Sequence, residues 1–190
     1  MESLADLPEN EFDDCIRITL LGNSNVGKST LVSIFKTGEK PDHVNQTLGF
    51  TMKSKTIHID DQTVKVLLND CSGQDTFQTV TNNCLRETEG FIVVYDVTDV
   101  QSFDDVKKWI GRIREIKEDD FPIMVLANKI DLQDQRRVDT EEGQILTGKL
   151  RTKYGETTFE NVEGVEQSFT IFLKQMYTTM VFNKVSFCWL

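Results

Sequence analysis

Short apolar runs alternate with amphipathic stretches along this chain from Cys15 onward. CIRITLL (residues 15–21) has the length and content of a buried strand, and STLVSIFK (29–36) beyond it has a helical pattern. FTMKSKTIHIDDQTVKVLLND (50–70) alternates apolar and polar positions until Asp60, Asp61 and Gln62 interrupt it, which predicts two strands joined by a tight turn. GFIVVYDV (90–97) and FPIMVLANK (121–129) are further apolar runs of buried-strand type. Between them Phe103, Val106, Trp109, Ile110, Ile113 and Ile116 fall at helical spacing, with Ser102 as the expected N-cap. VEGVEQSFTIFLKQMY (162–177) repeats the helical pattern.

Strands alternating with helices imply an α/β fold: one mostly parallel sheet, covered on both faces. Ligands in such folds bind beyond the carboxyl ends of the strands. The expected organisation is an acidic tail over residues 1–14, one domain over 15–179, and an apolar segment over 180–190. NKVSFCWL at the end has a strand-like pattern similar to that of CIRITLLG, so it is expected to be either the opening strand of a second domain or an extra packing segment.

Composition narrows the function. With 38% hydrophobic and 27% charged residues the chain is globular in character, and 190 residues suffice for a sizeable core. A net charge of −10 disfavours nucleic-acid binding, which needs a basic face, but leaves room for one local anion site. The four cysteines are scattered, without a CxxC pair, and no run is long and apolar enough to span a bilayer. A cytoplasmic protein is the expectation.

Three motifs carry chemistry. GNSNVGKS (22–29) fits GxxxxGK[ST], a phosphate cradle: backbone N–H groups turn inward, Lys28 reaches the β/γ-phosphates and Ser29 binds Mg²⁺. Asn25, Val26, Gly27 and Thr30 complete its lining, and a plain glycine turn is the alternative. NDCSGQ (69–74) closes a strand, so Asp70 can hold Mg²⁺ through water, Gly73 can offer its N–H to a γ-phosphate, and Gln74 can orient an attacking water. NKID (128–131) ends another strand: Asp131 can accept both N1–H and N2–H of guanine, while Asn128 and Lys129 fasten the loop and cover the base. Cys71, without a basic neighbour, reads as an unreactive thiol.

This ordered set resembles the Ras-like small GTPases, and among them the Rab family, over residues 15–179. The resemblance implies a P-loop G-domain with a six-stranded sheet and helices on both faces. It implies a switch that binds GTP/GDP with Mg²⁺ and hydrolyses GTP slowly, in vesicle traffic, with an exchange factor, a GTPase-activating protein and effectors as partners. It places Thr47 on Mg²⁺ and the γ-phosphate, with Ser29 and Asp70 as the other metal-site residues and Gln74 as the catalytic one. Peripheral attachment to vesicle membranes is a further expectation.

The chain departs from that family in four places. The switch aromatics of Rab proteins fall here on Met52, Asn69 and Cys84, which predicts non-standard switch recognition, with Phe50 and Phe77 nearby. Lys40 stands where an aromatic packs on guanine. Thr158, Phe159 and Glu160 replace the loop that reads guanine O6, leaving the Phe159 backbone as donor; weaker base binding is expected. Cys188 is third from the end, so it makes no prenylation box. Two rival readings are a nucleotide-holding scaffold that hardly cycles and an interaction module without nucleotide. Retained hydrolysis separates the first, and nucleotide on the purified protein separates the second.

Overall fold

The central strands are apolar at successive positions, which point to opposite faces, and both faces must therefore be covered. A computed structural model describes residues 12–43, 47, 49–72, 84–117 and 121–187, the last seven by backbone alone. Its strands are β1 (Asp14–Leu21), β2 (Phe50–Ile59), β3 (Gln62–Cys71), β4 (Gly90–Asp96), β5 (Ile123–Asn128) and β6 (Lys153–Glu156). They form one sheet in the order β2-β3-β1-β4-β5-β6. The β2–β3 hairpin is antiparallel and all other pairings are parallel.

Among the described residues the main α-helices are α1 (Lys28–Thr37), α2 (Val100–Asp104), α3 (Val106–Ile116), α4 (Thr140–Leu150) and α5 (Val162–Phe187). On one face Ile92, Val94 and Leu126 pack with Leu31 and Phe35 of α1 and with Phe169 and Leu173 of α5. On the other, Phe91, Val93, Tyr95 and Val125 pack with Val106, Trp109, Ile110 and Ile113 of α3. The continuous apolar runs read from the sequence are thus shared, residue by residue, between two cores. β1 lies between β3 and β4, and the carboxyl ends of all three meet at one edge.

Three local expectations need correction. Ser102 is not an N-cap: Asp99 caps α2 by accepting from the Gln101 N–H, and Ser102 lies buried inside the helix, where its hydroxyl accepts from the Asp96 N–H. The helical pattern is also broken at Asp105 into α2 and α3. Residues 183–187 are helical rather than strand-like, because α5 runs unbroken from Val162 to Phe187. No proline or glycine follows Gly164 in that helix, so nothing in its backbone stops it, and the strand propensity of Val and Phe yields to continuing helical hydrogen bonds.

Candidate functional site

The loop between β1 and α1 is built by three residues with positive φ: Gly22 (135°), Asn25 (65°) and Gly27 (101°). A Cβ on Gly22 would sit 2.2 Å from the carbonyl oxygen of Val94, so only glycine lets the loop cross β4 this closely. Gly27 is the N-cap of α1 and provides no side-chain cap, which leaves the first N–H groups of that helix for an anion. Val26 is buried beneath the loop; Ser29 and Thr30, half-buried, open the helix. Lys28 is only 6% exposed, and its ammonium donates to the carbonyls of Gly22 (2.9 Å) and Asn23 (2.7 Å). Burial pushes its pKa down to about 8, against the pull of the Asp70 carboxylate. A phosphate at the cradle would add a second countercharge beside Asp70.

Beside Lys28 three oxygen-bearing side chains converge. Ser29 Oγ lies 3.0 Å from Thr47 Oγ1, and Thr47 Oγ1 donates to Asp70 Oδ2 at 3.1 Å. Asp70 is 2% exposed, and its Oδ1 is buried with no hydrogen-bond partner among the described residues. A buried carboxylate oxygen without a donor, next to two hydroxyls, suits a hard, oxygen-loving cation such as Mg²⁺. No group of three or more His, Cys, Asp or Glu able to hold a metal occurs among the described residues. Gly73, Gln74 and Phe77 lie outside the described residues. Cys71 is buried, which pushes its thiol up to about 12.

The NKID loop is stitched to the cradle. Fully buried Asn128 donates from Nδ2 to the carbonyl of Val26 at 2.8 Å. A Cβ on Gly27 would lie 2.4 Å from that Nδ2 and 3.0 Å from the Phe159 ring, so this glycine serves the junction of the two loops. Lys129, with φ 66°, pairs with Asp96 at 2.5 Å. Burial alone would raise the Asp96 carboxyl, but the hydrogen bonds from Lys129 and Thr98 outweigh it and leave it low. Asp131 Oδ1 accepts from the Thr158 hydroxyl at 2.5 Å, and Thr158 Oγ1 accepts the Glu160 N–H at 3.1 Å. The Thr157 N–H binds the Ala127 carbonyl at 2.8 Å, holding the 157–160 loop against β5.

Some of the machinery lies outside the motifs. Asn23 Oδ1 accepts from the Trp109 indole N–H at 3.0 Å, and Asn23 Nδ2 donates to Asp105 at 2.7 Å. Helical spacing marks Trp109 as core, and nothing in that spacing shows its N–H aimed at the cradle. Of the switch positions, Met52 is 58% exposed, whereas Asn69 is 3% exposed and donates to Thr19. Cys84 is half-buried against the second core.

The model of the Ras family matches residues 17–178 of this chain. Among curated proteins, Ras-related protein RabC of Dictyostelium discoideum is 37% identical over 90% of the chain and 88% of its own length. GTP-binding protein YPTM1 of Zea mays is 34% identical over 84% of the chain and 77% of its own. Ras-related protein Rab-11C of Dictyostelium discoideum is 35% identical over 89% and 75%.

Proposed function

The chain belongs to the Ras family of small GTPases, and with its Rab-type relatives as the starting point we propose a guanine-nucleotide switch acting in vesicle traffic. One observation carries this reading: the Asn128–Val26 hydrogen bond joins the phosphate cradle to the base loop beside the Ser29–Thr47–Asp70 oxygens. That arrangement supports a ligand with phosphates at one end and a purine at the other.

In this reading Lys28 neutralises β/γ-phosphate charge, and Asn25, Val26, Gly27 and Thr30 line the phosphates through their backbones. Ser29 and Thr47 hold Mg²⁺, with Asp70 behind them, and its buried Oδ1 is the orphan atom that such a site would satisfy. Mg²⁺, when bound, offsets phosphate charge that grows toward the leaving group. Asp131 selects guanine, Lys129 and Asn128 brace its loop, and Thr158 and Phe159 complete the base pocket. Gly73 and Gln74 take the γ-phosphate and the attacking water by family likeness. Hydrolysis without a partner falls on the order of 10⁻⁴–10⁻³ s⁻¹.

Exchange factors, activating proteins and effectors are the partner classes of the family. The exposed Met52 and buried Asn69 support a switch surface read differently from that of aromatic-bearing relatives. No helix among the described residues is long and apolar enough to cross a membrane, and we place the protein peripherally on vesicle membranes.

The test is to denature freshly purified protein and identify the released nucleotide by chromatography, with Lys28→Ala as control. Guanine nucleotide near one per chain, absent from the control, is the expected result. An empty wild type that also ignores added GTP and Mg²⁺ would overturn the proposal. Single-turnover hydrolysis then checks Gln74: Gln74→Leu should be slower than wild type, and equal rates remove its role.

A further inference from the structure

A purine in this pocket needs a wall on the side away from the NKID loop, and no Phe, Tyr or Trp occurs between α1 and β2 to provide one. Lys40 occupies that place. Its ammonium pairs with the Glu160 carboxylate, a residue 120 positions away on the loop that packs against the base loop. It also lies 5.8 Å from the centroid of the Phe159 ring, and that ring covers Gly27, the last glycine of the cradle. One side chain thus joins the segment after α1 to the 157–160 loop, and that loop hydrogen-bonds to Asp131 through Thr158.

We propose that Lys40 and Glu160 form an ionic clasp across the mouth of the base pocket, and that the clasp sets how long guanine nucleotide stays bound. This rests on the guanine-nucleotide reading above and adds the device that retains the ligand. The aliphatic stem of Lys40 covers the base edge, while its charged end is fixed by Glu160 and the Phe159 face. The closure is electrostatic and open to solvent, with the two side chains 47% and 59% exposed, so salt screens it. An aromatic wall would have no such dependence.

The experiment loads the full chain with a fluorescent GDP and Mg²⁺, chases with unlabelled GDP, and follows release at about 0.05 M and about 1 M salt. Wild type should release about threefold to fivefold faster at the higher salt, the scale of one well-formed exposed ion pair. Lys40→Met keeps the stem and removes the charge. It should release at low salt as fast as wild type does at high salt, with little further response. Glu160→Gln should match it, and the exchanged pair Lys40→Glu with Glu160→Lys should regain slow, salt-sensitive release. Lys36→Met, an exposed lysine in the last turn of α1, should behave as wild type. Wild-type rates and salt response in both single variants would overturn the clasp while leaving the nucleotide reading intact. A wild type that takes up no guanine nucleotide would overturn the reading and the clasp together.

Discussion

Gly22, Lys28, Asp70 and Glu156 show how single positions here are held by what surrounds them. At Gly22 a methyl group would collide with the Val94 carbonyl, and the backbone stands at φ 135°. Gly22→Ala should therefore cost about 3 kcal/mol or more of unfolding free energy, measured by urea denaturation, because both strain and overlap must be relieved. Glu156 gives a pH-dependent case. Its Oε1 accepts from Arg136 (2.6 Å), Tyr154 (2.7 Å) and Thr140 (2.8 Å). Burial alone would raise this carboxyl, but the three donors bring it below its ordinary value. A carboxylate lowered by folding stabilises the protein above the unfolded pKa, and that contribution disappears as pH falls through the folded one. Glu156→Gln should thus cost about 1–2 kcal/mol at neutral pH. In denaturation series its deficit against wild type should shrink below about pH 4.

Among the elements, α5 does the most to fix α1 and hence the cradle. Phe169 stacks on Phe35 with ring centroids 4.9 Å apart, and both are fully buried. Phe169→Ala should cost about 3–5 kcal/mol, read from the denaturation midpoint. Elements of this kind were legible in the sequence because their burial follows a period. Alternation in β2 and β3, continuous apolar runs in β4 and β5, and the 3.6-residue stripe of α3 each reflect a physical face. The residues proposed for phosphate, Mg²⁺ and base were marked in the sequence by their types at the ends of strands, and the fold brings Ser29, Thr47 and Asp70 together. Contacts between distant residues were not. That Asn69 turns inward to Thr19, that Asn23 ties the cradle to Trp109, and that Lys40 reaches Glu160 depend on packing between elements, which no local pattern encodes. The end of α5 departs from its strand-like composition for a related reason: Val and Phe suit a strand, but a helix already under way continues until something breaks it.

On the scale of the whole molecule, a chain with net charge −10 places a buried lysine and a helix N-terminus without a side-chain cap at one edge of its sheet. An anionic ligand there compensates charge that the protein itself leaves open, so binding and folding are linked. At about one hundred times its dissociation constant, GDP with Mg²⁺ should add about 2.7 kcal/mol of stability. In a thermal melt that corresponds to a rise of roughly 5–10 °C for a chain of this size. Lys28→Ala should show no such rise, and an equal shift in both proteins would mean that the ligand binds elsewhere.

The hydrogen bond from Asn128 to Val26 has a consequence for how the molecule breathes. Two loops separated by about a hundred residues of sequence share one buried bond, so neither can open without exposing a polar group of the other. Their amide hydrogens should therefore exchange with solvent as a single cooperative unit. On the proposed reading, a protein that prises nucleotide loose by pulling on the phosphate side should also loosen the grip on the purine.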